Sequence, residues 1–124
     1  MPPDLVERLL AQCNDAAIYA DREGLIQMWN AAAETMFGFT ASEALGQSLD
    51  IFIPERLRAA HWNGYNLAME RGRGRHAGQP TRTKALTRSG ETVYVEMSFS
   101  VITDDSGRAL GSLAIARLSP PRTA

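Results

Sequence analysis

Residues 92–102 constrain the fold of this chain more than any other stretch. Val93, Val95, Met97, Phe99 and Val101 alternate with Thr92, Tyr94, Glu96, Ser98 and Ser100, so a period of two sends the first set to one face of a strand and the second to the other. One face is built for burial. Arg88-Ser89-Gly90 before the run and Asp104-Asp105-Ser106-Gly107 after it are turn signals, which predicts an antiparallel meander of residues 79–87, 92–102 and 110–118.

The first half of the chain reads differently. Residues 2–13 place Leu5, Val6, Leu9 and Leu10 at helical spacing behind Pro2, Pro3 and Asp4, which predicts a short amphipathic helix. Two apolar runs, 16–20 and 25–29, flank Asp21-Arg22-Glu23-Gly24 and predict a hairpin. Asn30 stands where an N-cap belongs, ahead of Ala31-Ala32-Ala33-Glu34, and Gly38 marks a helix end. Thr40-Ala41-Ser42-Glu43 has the form of a capping box opening another short helix that stops at Gly46. Pro54 precedes a longer helix, 55–71, in which Leu57, His61, Gly64, Tyr65 and Ala68 fall on one face. The order strand, strand, helices, strand, strand, strand predicts an α+β domain whose antiparallel sheet is covered on one face by helices.

A length of 124 residues suits one domain with a real core and no need of disulfides. The single cysteine, Cys13, cannot form an internal bridge, and no apolar run approaches the roughly 18 residues of a membrane span, so the expected location is cytoplasmic. Thirteen basic and 14 acidic residues leave a net charge of −1, too weak a field to draw the chain to nucleic acid or a membrane. The basic run Arg71, Arg73, Arg75 and His76 is broken by Gly72 and Gly74 and reads as a solvated loop.

Specific residues also carry a family likeness. Ile18 to Asp21, Gly24, Met28-Trp29-Asn30, Ala32-Ala33-Glu34, Met36-Phe37-Gly38 and Glu43-Ala44-Leu45-Gly46 together resemble the PAS signature, and Gly90 and Gly107 sit where that family has turns. The resemblance implies a PAS fold, a five-stranded sheet cupping a cavity that family members use for haem, flavin or small metabolites, or leave empty and serve as dimerisation modules. Three segments are expected: the amphipathic helix at 1–13, the PAS domain that the resemblance implies at 14–118, and a flexible Pro-containing tail at 119–124. The acidic run that usually leads such a domain into a signalling helix is absent, since Ala116-Arg117-Leu118 is followed by Ser119-Pro120-Pro121. The implied partners are a second copy of the chain and a histidine kinase or other signalling protein.

His61 is the chemically loaded residue of the helix face. It is either a half-buried histidine bonded to a carbonyl, or a neutral imidazole acting as proximal ligand to haem iron. Ile53-Pro54-Glu55, His61 and Gly72 match the offsets at which haem-binding PAS oxygen sensors carry their iron ligand, which implies b-type haem sensing a diatomic gas or a redox state. In that likeness Met97, on the inward face of the sheet, is either core packing or a sixth ligand, and Val95, Phe99, Gly64, Tyr65 and Leu57 line the pocket. Arg82 lies one residue away from the oxygen-stabilising arginine of those sensors, which turns it to the other face of a regular strand. Trp29 and Trp62 read as packing residues. Blue-light adduct chemistry needs a cysteine within about residues 48–53, and none is there. Nucleophile elbow, zinc-binding H-E-x-x-H, P-loop and C-x-x-C motifs are all missing, so the sequence predicts a sensor or interaction module and no enzyme.

Overall fold

The computed structural model describes residues 1–74 and 78–120. Helix α1 (Leu5–Gln12) leads into the hairpin of β1 (Ala16–Asp21) and β2 (Ile26–Trp29). Then come α2 (Ala31–Phe37), α3 (Ala41–Ala44), a 3-10 turn (Leu49–Phe52), the long helix α4 (Glu55–Arg71), and the strands β3 (Thr81–Leu86), β4 (Thr92–Thr103) and β5 (Ala109–Leu118). The strands form one five-stranded antiparallel sheet of order β2-β1-β5-β4-β3. This is the α+β architecture expected from the element order. Strand β3 begins at Thr81 rather than at Gln79, because Pro80 has no N–H to give to a ladder. Arg75 and His76 of the basic run, and residues 121–124, lie outside the described residues. No described helix is long and apolar enough to cross a membrane.

The local signals act as the sequence suggests. Asn30 is only 4% exposed, and its side chain is saturated: Oδ1 accepts from the backbone N–H groups of Ala17 (2.9 Å) and Ala33 (3.0 Å), while Nδ2 donates to the carbonyls of Leu10 (2.8 Å) and Asp15 (3.0 Å). One amide thus caps α2 and ties it to β1 and to the end of α1. Thr40 and Glu43 make the reciprocal capping box of α3. At the end of α4 Gly72 takes a left-handed φ of 73° and gives its N–H to Ala68, which stops the helix.

The core is uneven. Trp29, Phe37 and Phe52 meet with ring centroids 5.1 to 5.9 Å apart under α2 and the 3-10 turn, and Ile18, Ile26 and Phe37 are wholly covered. Each such side chain contributes about 1.5–3 kcal/mol by leaving water. Between α4 and the other end of the sheet the buried residues include Tyr65, Met69 and Val95, but several positions there are small: Ala68, Ala85, Ser112 and Ala114. A ring cluster fills one half of the interior, and the short side chains among the residues of the other half leave a hollow there.

Candidate functional site

The hollow half is a cavity of about 450 Å³, within the roughly 300–1,000 Å³ typical of small-molecule sites. Its helical wall is α4, which presents Leu57, His61, Gly64, Tyr65 and Ala68 at three- and four-residue spacing. Its sheet wall is made by Thr81, Thr83 and Ala85 of β3, Met97 and Phe99 of β4, and Ser112 and Ala114 of β5. Pairing explains the set, because Met97 stands opposite Thr81 and Ala116 while Phe99 stands opposite Ala114, all on one face of the sheet. Leu49, Phe52 and Ile53 close the end next to the aromatic cluster. This 3-10 turn was not foreseen as a wall; its one sequence signal is Ser48, whose hydroxyl accepts from the backbone N–H of Asp50 at 3.1 Å.

Of the residues expected at the site, the cavity brings together His61, Met97, Phe99, Gly64, Tyr65 and Leu57. Val95, expected in the same wall, is fully buried but does not line it. It faces Thr83 and Leu118 across the ladder, and core neighbours cover it completely. Gly64 has no atom within 4 Å of the place its Cβ would occupy, so the helix is notched toward open space there. At Gly74 a Cβ would lie 3.2 Å from Phe99, so that glycine lets the segment after α4 rest on the ring. Arg82 points to the opposite face of the sheet, with its guanidinium 3.8 Å above the Tyr94 ring.

His61 sits within a row of rings, its centroid 4.6 Å from Trp62 and 5.7 Å from Tyr65, and Tyr65 in turn lies 6.0 Å from Phe99. Its Nδ1 is buried with no hydrogen-bond partner, and the imidazole makes no hydrogen bond among the described residues. The reading of His61 as bonded to a carbonyl therefore finds no such bond. An unpaired buried nitrogen is costly, about 1–3 kcal/mol, and such groups call for an explanation. Its neighbours are satisfied by contrast: Trp62 Nε1 donates to Asp50 at 2.8 Å, and Tyr65 donates to the Asp21 carbonyl while accepting from Ser112 at 3.3 Å. Burial raises the Tyr65 phenol above its usual range.

Burial also lowers the His61 pKa below 6.5, against a smaller opposing pull from the Asp50 carboxylate. The ring is thus neutral near pH 7, the form that offers a lone pair. The linkage has a definite sign. Below about pH 6.5 the unfolded chain takes up a proton that folded His61 refuses, so stability falls as pH drops through that value and levels off below the folded pKa. Urea midpoints of ligand-free protein at about pH 7.5 and about pH 5.5 should differ less in His61→Gln than in wild type. An equal drop in the two proteins would mean that His61 is not the group responsible.

No cluster of three or more His, Cys, Asp or Glu side chains that could hold a bare metal ion occurs among the described residues. A lone imidazole in an apolar cavity suits a metal that arrives with its other ligands. Cys13 is remote from this chemistry, its thiol donating to the carbonyls of Leu10 and Asp15 beside α1.

Comparison with known proteins places the chain. The family model described as PAS fold matches residues 4–118. The chain belongs to the PAS family. Among curated proteins this PAS domain is 45% identical over 47 residues to the sensor protein FixL of Bradyrhizobium diazoefficiens, covering 38% of this chain and 9% of FixL. It is 24% identical over 86 residues to the oxygen sensor protein DosP of Escherichia coli, covering 69% of this chain and 11% of DosP. The PAS domain therefore spans about a tenth of those proteins' length. A solved PAS domain from Colwellia psychrerythraea superposes with a TM-score of 0.81 at 20% identity, over 94% of this chain and 95% of that one.

Proposed function

We propose that this PAS domain is a sensor that holds b-type haem through His61 and reports a diatomic gas or a redox change to a signalling partner. The observation that carries this reading is the His61 imidazole, kept neutral by burial and without a hydrogen-bond partner among the described residues, on the wall of an apolar cavity. When bound, haem iron supplies a site that takes up a small gas molecule or changes oxidation state. The residues of this chain hold and shield it. His61 would be the helix-side ligand, and Met97 the residue of the sheet wall whose sulfur could serve as the second. Leu57, Tyr65 and Phe99 exclude water, and the notch at Gly64 leaves room for a flat ring edge. Val95 is packed into the core beside Met97 on the same face of β4.

A hemin titration of purified wild type and His61→Ala, followed by the Soret band, tests this reading. Stoichiometric binding by wild type and its loss in the variant are expected. Equal binding by both would remove His61 as ligand and point to His76. No binding by wild type would favour a sensor of another molecule, flavin or metabolite, or a dimerisation module without a cofactor. Cysteine-adduct photochemistry is outside all of these, because the single cysteine does not line the cavity.

The partner we propose is a second copy, with a histidine kinase or another signalling protein beyond it. Val6 and Leu9 on α1 are 64% and 59% exposed, an apolar stripe that so short a helix does not keep in water at no cost. Deleting residues 1–12 should weaken self-association. Sedimentation of the truncated and full chains as the same species across a wide concentration range would refute it.

A further inference from the structure

Strand β3 carries contacts of opposite kinds on its two faces. Thr81 and Thr83 look into the cavity, while Arg82 between them reaches over the outer face to the chain leaving β5. There its Nε donates to Ser119 Oγ at 3.1 Å, its guanidinium stacks on Tyr94 at 3.8 Å, and a second nitrogen donates to the Pro120 carbonyl at 3.3 Å. The Ser119 N–H itself donates to the Tyr94 carbonyl at 2.9 Å. β3 is an edge strand, held by β4 on one side only, and is the part of the cavity wall freest to shift.

We propose that Arg82 is a clasp that sets the course of the chain as it leaves the sheet, and that a ligand in the cavity opens this clasp by pressing on Thr81 and Thr83. The second half rests on the cavity taking a ligand. Guanidinium geometry suits the task, because a planar fork can stack on a ring and reach two acceptors at once. A strand is stiff across its faces, so displacement of Thr81 and Thr83 carries Arg82 with it. Ser119 precedes two prolines, which have no amide hydrogen, so its N–H is the last before the tail and reports on the clasp directly.

Amide hydrogen exchange at Ser119, read by NMR, tests this. In ligand-free protein Arg82→Ala should speed exchange at Ser119 about tenfold while core amides of β1 and β5 keep their protection. An unchanged Ser119 rate would overturn the clasp. Loading wild type with hemin should speed Ser119 exchange by at least about threefold, and the same loading of Arg82→Ala should add nothing although hemin binds as before. Hemin bound with no change at Ser119 would overturn the coupling. Should wild type not bind hemin, the haem reading falls and the coupling is judged on Thr83→Leu, which adds bulk on the cavity side of β3. Faster exchange at Ser119 in that variant supports the coupling, and a wild-type rate refutes it.

Discussion

Gly111→Ala should yield no stably folded protein. A Cβ at Gly111 would lie 2.1 Å from the carbonyl oxygen of Ala20 and 2.7 Å from the Tyr19 hydroxyl. The tyrosine can swing away, but the Ala20 carbonyl belongs to the neighbouring strand. Moving it breaks the ladder between β1 and β5, which runs through the middle of the sheet from Ala16 opposite Ala116 to Asp21 opposite Gly111. The expected loss exceeds about 4 kcal/mol, a large share of the roughly 5–15 kcal/mol that holds a domain together. Gly64→Ala is the natural contrast, since nothing lies within 4 Å of its Cβ and alanine suits a helix better than glycine by about 1 kcal/mol. Circular dichroism and urea unfolding of the two variants settle the matter. A Gly111→Ala protein with the wild-type midpoint would mean that the two strands are less closely apposed than described.

Gly24→Ala should cost about 2–4 kcal/mol and alter the surroundings of His61 as well. Gly24 has φ +80°, a conformation that costs alanine about 1–2 kcal/mol. Its Cβ would also stand 2.1 Å from the far edge of the Trp62 ring. That ring can shift, but only by giving up the 2.8 Å bond from Nε1 to Asp50, worth about 1 kcal/mol or somewhat more for a charged acceptor. Trp62 is also the ring in edge contact with His61. The two contributions separate in a double variant: with Trp62→Leu already present, Gly24→Ala should cost only its backbone share. Denaturant midpoints give the energies, and tryptophan emission reports the displaced ring. Full additivity of the two substitutions would mean that the turn and the helix are not coupled through this contact.

Much of this was legible in the chain beforehand, for reasons that particular residues make plain. The alternation along β4 is local information, and it sufficed to turn Met97 and Phe99 inward, while the outward course of Arg82 followed from its one-residue offset from the family's arginine position. Asn30 was legible as a cap because a cap needs only its own helix. Its bonds to Leu10, Asp15 and Ala17 were not, since the fold alone brings those groups near. Val95 shows the limit most clearly. It and Met97 have the same inward parity, yet one is packed and the other faces space, because that depends on the volume of what stands opposite. The cavity itself could be inferred only from the family likeness. The unpartnered Nδ1 of His61 required coordinates.

The uneven core separates two demands that a binding protein usually places on the same residues. Cohesion resides in the ring cluster of Trp29, Phe37 and Phe52, of which Phe52 alone reaches the cavity, whereas much of the remaining shape offered to a guest is cut by Gly64, Ala68, Ala85 and Ala114. Exchanging one short side chain for another at those four places would remodel the guest's space while leaving the ring cluster untouched. Drift in ligand preference can therefore proceed in small heritable steps with no intermediate that fails to fold, and one framework can come to serve many chemically unrelated signals.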